Sequence, residues 1–161
     1  MPIFGGVRAD VLEMLVHGAK EVNVAKDAYF FREGDRAESM FVLESGEVAI
    51  LKGWAGAQHE LHRLHEGACF GEMALLDLFP RSASVQAVMP CTALELSTAS
   101  LYSLYETDLE QFALVQINIA RELSRRLRVA DRLIANSGAT MAREYVHLSM
   151  RPPAPPEPAE D

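Results

Sequence analysis

The sequence predicts a mainly β, α+β domain: a double-stranded β-helix, or jelly-roll-like β-roll, with an N-terminal helix and a long C-terminal helix. Three observations lead there. Short apolar segments recur near 20–24, 28–31, 39–44, 47–53, 58–64, 82–88 and 92–96, punctuated by Gly34, Gly46, Gly53 with Gly56, Gly67 and Pro90. That spacing suits many short strands closed into two sheets. Before them, Val7, Val11, Leu12, Leu15 and Val16 fall near helical spacing; after them, Ala120, Leu123, Leu127, Ala130 and Ile134 alternate steps of three and four.

Each element has its own reason. The first helix buries one apolar face and stops at Gly18. Met40 with Val42 and Val48 with Ile50 alternate as half-buried strands do, although Phe41 and Leu43 make both faces of their strand apolar. Gly34 and Gly46 read as tight turns. Thr98 is placed to N-cap a helix to about Tyr105, and Asp108 to cap a longer one. With the late apolar series at a and d positions, Arg126 falls at g and Asp131 at e, so a parallel pair brings Arg126 of one chain to Asp131 of the other. Residues 119–134 are therefore expected to carry a homodimer; the competing reading is that the stripe packs on its own barrel. Arg121, Arg125, Arg128 and Arg132 share the opposite face, as a solvated stripe or a docking surface.

A chain of 161 residues with 49% hydrophobic content holds one sizeable core. The expected organisation is a binding domain over 1–136 that includes the long helix, a short helix within 137–150, and a Pro-rich disordered tail over 151–161. Five of the eight prolines lie in that tail. A net charge of −8 disfavours recruitment to nucleic acid or anionic membrane. Neither a secretory leader nor a membrane span is read from the sequence, and Cys69 and Cys91 are too few for a disulfide scaffold and lack metal spacing. Cytoplasmic residence is the expectation.

The chemistry concentrates in Phe70 to Val85. Glu72 and Arg81 stand nine residues apart across one helical turn, with small residues wherever a ligand must touch the main chain. Gly71 admits close approach, and Glu72 to Asp77 can form a turn whose free N–H groups face outward, an anion site. Arg81 brings the planar fork that grips phosphate, while Ser82 and Ala83 stay small beside it. Glu72 can only accept when ionised and suits a sugar hydroxyl. Pro80 fixes the loop that returns Arg81 to the turn. The layout fits a compact ligand that carries hydroxyls and an anionic phosphate.

This segment resembles the phosphate-binding cassette of cyclic nucleotide-binding domains, the family of bacterial catabolite activators, kinase regulatory subunits and nucleotide-gated channels. The likeness extends over residues 5 to 136, through Phe31-Arg32-Glu33-Gly34-Asp35, Ser39 to Leu43 and Ser45-Gly46-Glu47-Val48. It implies that Glu72 holds the ribose 2′-hydroxyl and Arg81 the cyclic phosphate, with main-chain N–H groups of Gly71, Met73 and Ala74 and the hydroxyl of Ser82 completing the cradle. Ala83 lies beside them. In the family the long helix also closes over the base. The activators place Thr and Ser after their Arg-Arg-Leu run, whereas this chain has Ala130 and Asp131 there, with Arg126 as a further lid residue by position. Ser82 resembles the residue of the bacterial activators, which favours cyclic AMP over cyclic GMP. Val48, Ile50, Leu61 and Met73 are candidates for the wall against the base, or plain core.

Other functions fare worse. No catalytic residue and no metal ligand set is assigned. A phosphodiesterase or cyclase needs a metal-binding cluster near the phosphate, and only Glu72 stands there. His59, His62 and His65 lack zinc spacing, because residues three apart on a strand face opposite ways. Trp54 reads as a loop cover. About 25 residues follow position 136, too few for the helix-turn-helix of the activators, so direct DNA contact is not expected. The expectation is a cyclic nucleotide sensor, without other cofactor, acting on an effector of unknown identity. The alternatives are a ligand-independent dimerisation or scaffold domain with a degenerate pocket, and a receptor for another phosphorylated ligand. In the degenerate case Arg81 would pair with Glu72 or Asp77.

Overall fold

A computed structural model of the chain describes residues 2–136. The short helix expected in 137–150 and the tail expected in 151–161 lie outside the described residues. The chain divides into two units, Met1–Ala120 and Arg121–Asp161, each described by itself.

The first unit opens with a 3-10 turn at Pro2–Phe4 and helix α1 (Ala9–His17), followed by strands β1 (Lys20–Val24), β2 (Tyr29–Phe31), β3 (Ser39–Ser45), β4 (Glu47–Trp54), β5 (Ala57–His65) and β6 (Cys69–Phe70). Then come the single helical turn α2 (Met73–Asp77), strands β7 (Ser84–Ala87) and β8 (Cys91–Ser97), helix α3 (Thr98–Thr107) and helix α4 (Leu109–Asn136), of which the residues up to Ala120 belong to this unit. The strands form two antiparallel four-stranded sheets, ordered β1-β8-β3-β6 and β2-β7-β4-β5. Sequence neighbours are thus mostly separated in each sheet, as expected for a jelly-roll-like β-roll. The seven expected strands are present. The eighth, β6, is only two residues long and carries no periodic signal.

Phe41 and Leu43 of β3 face the space between the sheets, where they pack with Val48, Ile50, Phe70, Val85, Ala87, Cys91 and Ala93. Met40 and Val42, on the other face by strand alternation, are also fully buried. Burial on both faces explains the continuous apolar run of β3. Val11, Leu15, Leu101, Leu104, Val115 and Ile119 of the helices are buried as well, and α3 packs against β8.

Helix boundaries follow capping chemistry. Gly18 ends α1, its N–H donating to the Met14 carbonyl and the next N–H, of Ala19, to the Val16 carbonyl. The cap of α3 is Ser97 rather than Thr98: the Ser97 hydroxyl accepts from the Ser100 N–H at 3.1 Å. Thr98 donates instead to the Glu38 carbonyl at 2.9 Å. Asp108 caps α4 as expected, its carboxylate accepting from Gln111 N–H at 3.1 Å.

Gly46 holds a φ of +99°, and a Cβ there would stand 2.7 Å from the Pro90 carbonyl oxygen and 3.0 Å from Cys91 Cα. Main-chain atoms cannot step aside. Gly46→Ala is expected to destabilise the fold by about 2–4 kcal/mol, adding left-handed strain to overpacking. Chemical denaturation checks this; a loss below ~1 kcal/mol contradicts it.

In the second unit, Leu127, Val129 and Leu133 of α4 are exposed. Glu122 receives Arg125 and Arg126, each at 3.3 Å. Arg125 and Arg132 of the basic stripe each donate through Nε to a carbonyl one turn earlier, Arg121 and Arg128 respectively.

Candidate phosphate-binding site

The site is built where β6 turns into α2 and where the loop after α2 returns to β7. Gly71 makes the first corner with φ +77°, open to glycine at no steric cost. Glu72 follows and is buried, and its carbonyl accepts from Leu75 N–H as α2 begins. Asp77 ends the turn by accepting from Phe79 N–H at 3.1 Å, and Leu78 takes a left-handed φ of +60° there while remaining 83% exposed. Leucine in that region costs roughly 1 kcal/mol.

The return loop is tied to the β2–β3 turn. Arg81 N–H donates to the Asp35 carbonyl and its own carbonyl accepts from Gly34 N–H, both at 2.9 Å. This pair of bonds drives the Arg81 side chain inward, where it is only 5% exposed. Its guanidinium lies 4.0 Å from the centroid of the Phe31 ring and 5.8 Å from that of Phe41. Nη1 donates to the Gly71 carbonyl at 2.9 Å and Nη2 to the Ser39 hydroxyl at 3.4 Å. Ser39 in turn donates to Glu95 at 2.7 Å. Nε is buried and has no hydrogen-bond partner among the described residues.

Among the described residues, the ion pairs of the chain do not include Arg81. Burial pushes the guanidinium below its ordinary value, opposed by the charges of Glu95, Asp35 and Glu72. Arginine stays protonated regardless, so burial here represents an incompletely compensated cation rather than a proton switch.

The other expected site residues cluster around it. Ser82 Oγ lies 3.6 Å from Met73 Sδ, joining the two arms of the cassette. Ala83 packs at the edge of the inter-sheet cluster. Gly71, Met73 and Ala74 run consecutively with Glu72 into α2. Of the four candidates for a wall against the base, Val48 and Ile50 are packed core, whereas Leu61 and Met73 are exposed. Arg126, Ala130 and Asp131 belong to the second unit. A hollow of about 500 Å³ contains Arg81 with Phe31, Asp35, Ser39 and Glu95. A larger one of about 870 Å³, lined in part by Lys20, Phe79 and Thr98, contains neither Arg81 nor Glu72, so volume alone does not mark the chemistry.

His59, His62 and His65 lie on exposed β5, and no cluster of potential metal ligands occurs among the described residues. Both cysteines are buried, and burial pushes the Cys91 thiol up. No described helix is long and apolar enough to cross a membrane. Trp54, at the β4–β5 turn, is exposed.

Residues missed in the sequence are Phe31, Ser39 and Glu95, which position Arg81, and Glu33 and Lys52, which hold Ser82. Phe31, Glu33 and Ser39 stand in the Phe31–Asp35 and Ser39–Leu43 segments that carry the resemblance, whereas Lys52 and Glu95 give no local signal.

The family described as "Cyclic nucleotide-binding domain" matches residues 21–108. The Cyclic AMP receptor protein of Thermus thermophilus is 31% identical over 131 residues, covering 81% of this chain and 59% of that protein. A cAMP-dependent protein kinase regulatory subunit of Mucor circinelloides is 41% identical over 56 residues, covering 35% of this chain and 13% of that protein. The chain thus spans 59% or less of these two relatives. Among solved structures, a cyclic nucleotide-binding domain from Methylobacillus flagellatus superposes with a TM-score of 0.78 at 26% identity, over 84% of this chain and 77% of that one. With the match covering the whole β-roll from β1 to the start of α4, the cassette and its buried arginine included, the chain belongs to the cyclic nucleotide-binding domain family.

Proposed function

We propose that this chain binds a cyclic purine nucleotide in the cassette of residues 70–83, cyclic AMP in preference to cyclic GMP, and serves as a regulatory receptor rather than an enzyme. The observation that carries the reading is Arg81: a buried guanidinium stacked on Phe31, with an unpartnered Nε and no carboxylate ion pair among the described residues. A cyclic phosphodiester supplies the missing acceptor and charge. Glu72 accepts from the ribose 2′-hydroxyl, the N–H groups of Gly71, Met73 and Ala74 and the Ser82 hydroxyl complete the cradle, and Ala83 keeps its wall low. Exposed Leu61 and Met73 flank the base. The preference for cyclic AMP is supported by Ser82 beside Arg81 and by relatives whose names carry that nucleotide.

The long helix α4, which follows the β-roll in the chain, is the element through which occupancy is passed on. Occupancy favours the closed arrangement by its differential affinity for two states, and the moved helix acts in trans on an effector. The use of only two cysteines supports residence in the reducing cytoplasm.

Calorimetric titration with cyclic AMP, cyclic GMP and non-cyclic AMP tests the reading. Tightest binding of cyclic AMP is expected. Heat from none of the three leaves a dimerisation or scaffold role, and heat from the non-cyclic nucleotide alone points to a different phosphorylated ligand.

Exposed Leu127 and the a/d series support self-association through 119–134. Asp131→Arg sets like charges against Arg126 of the second chain and is expected to weaken the dimer about fivefold, the modest effect of exposed pairs. Sedimentation velocity over a concentration series reads it; an unchanged profile contradicts the seam.

A further inference from the structure

The Ser82 peptide is held by a charge that none of the site roles above employs. In the β4–β7 register Leu51 lies opposite Ser84, so the next residue, Lys52, comes level with the segment that enters from Arg81. By strand alternation Lys52 shares the face of Val48 and Ile50, which is turned toward the inter-sheet core. Beyond the core, the Lys52 side chain is 42% exposed and its ammonium finds partners in the neighbouring segments. Nζ donates to the Ser82 carbonyl at 2.7 Å and to Glu33 Oε1 at 2.6 Å. The other Glu33 oxygen accepts from Gly53 N–H at 2.9 Å, and Glu33 N–H donates to the buried Ser84 hydroxyl at 2.8 Å. Lys52 and Gly53 hold the Glu33 carboxyl below the usual carboxylate range, so the clamp is charged at neutral pH.

The Ser82 carbonyl and the Ala83 N–H are two ends of one peptide group. In a trans peptide they point opposite ways, and a cation on the carbonyl polarises the N–H into a stronger donor. We propose that Lys52, fixed by Glu33, is a positioning residue of the phosphate site: it orients the Ser82–Ala83 peptide so that the Ser82 hydroxyl and the Ala83 N–H meet one exocyclic oxygen of the bound cyclic phosphate. This rests on the cyclic nucleotide reading, and it adds a second cation to the anion's surroundings without direct contact.

The test uses the full chain and three probes: cyclic AMP and its two phosphorothioate diastereomers, in each of which sulfur replaces a different exocyclic oxygen. Sulfur accepts hydrogen bonds weakly, so wild type is expected to separate the diastereomers. Lys52→Met is expected to lower cyclic AMP affinity about five- to tenfold, the range of one lost charge-assisted hydrogen bond, and to narrow the ratio between the diastereomers. Lys52→Arg restores both. Glu33→Gln, which frees the lysine, falls between. Equal weakening of all three probes, with the wild-type ratio kept, would mean that Lys52 only supports the fold and overturns the proposal, as does wild-type affinity in Lys52→Met. If wild type binds no probe, the cyclic nucleotide reading itself fails and takes this one with it.

Discussion

Arg81→Ala is expected to abolish most nucleotide binding, weakening affinity at least about 100-fold while the β-roll stays folded. The magnitude follows from removing one member of a buried, charge-assisted pair, typically 2–5 kcal/mol, with each ~1.4 kcal/mol a factor of ten. Two contributions are lost together. The phosphate loses its counter-charge, and it loses donors held in place by the Gly71 carbonyl, the Ser39 hydroxyl and the Phe31 ring. The fold should survive because the residues holding the loop use Arg81's main chain, bonded to Asp35 and Gly34, which alanine retains. Deleting the side chain also removes a buried cation without a direct ion pair, which offsets part of the lost packing. Calorimetry gives the affinity and thermal unfolding the fold. Equal binding by wild type and variant would refute the assignment of Arg81 to the phosphate.

The second large effect is expected at a residue with no side chain. A Cβ on Gly71 would stand 2.6 Å from Arg81 Nη1 and 3.2 Å from Phe31 Cε1, on a backbone with φ +77°. Gly71→Ala therefore meets left-handed strain and must displace the guanidinium from its ring. We expect nucleotide affinity to fall about 30- to 100-fold, corresponding to about 2–3 kcal/mol, and stability to fall by about 1–3 kcal/mol. The loss of affinity should largely vanish when Gly71→Ala is placed on Arg81→Ala, because the glycine acts through the arginine. Additive losses in that double variant would contradict the coupling.

Legibility in the sequence follows the range of the interactions. The cassette from Phe70 to Val85 could be read because its carboxylate, guanidinium, glycine and proline lie on one continuous segment whose local geometry orders them. The strand series could be read because Gly and Pro mark its turns. What holds Arg81 could not: Ser39 lies 42 positions away, and Glu95 reaches Ser39 across 56. Those meetings depend on β3 pairing with β8 in a register that sets Phe41 opposite Glu95. Propensity does not report register across intervening strands. Lys52 and Glu33 were hidden for the same reason, brought together over 19 positions by sheet pairing. The choice of Ser97 over Thr98 as the cap of α3 was a one-residue matter, since neighbouring hydroxyls have similar capping value and the Glu38 carbonyl claimed the threonine. Val48 and Ile50 stayed ambiguous between wall and core because strand alternation fixes a face but not what lies across it.

A cation kept indoors without an acid in direct contact makes the filled and unfilled chains differ in durability. Ligand that binds only the folded form adds about 2.7 kcal/mol of stability at one hundred times its dissociation constant. Proteases that attack transiently opened molecules then cleave the saturated form more slowly, because fewer of its molecules are open at any moment. On the proposed reading, Arg81 ties the lifetime of the protein to the supply of its nucleotide.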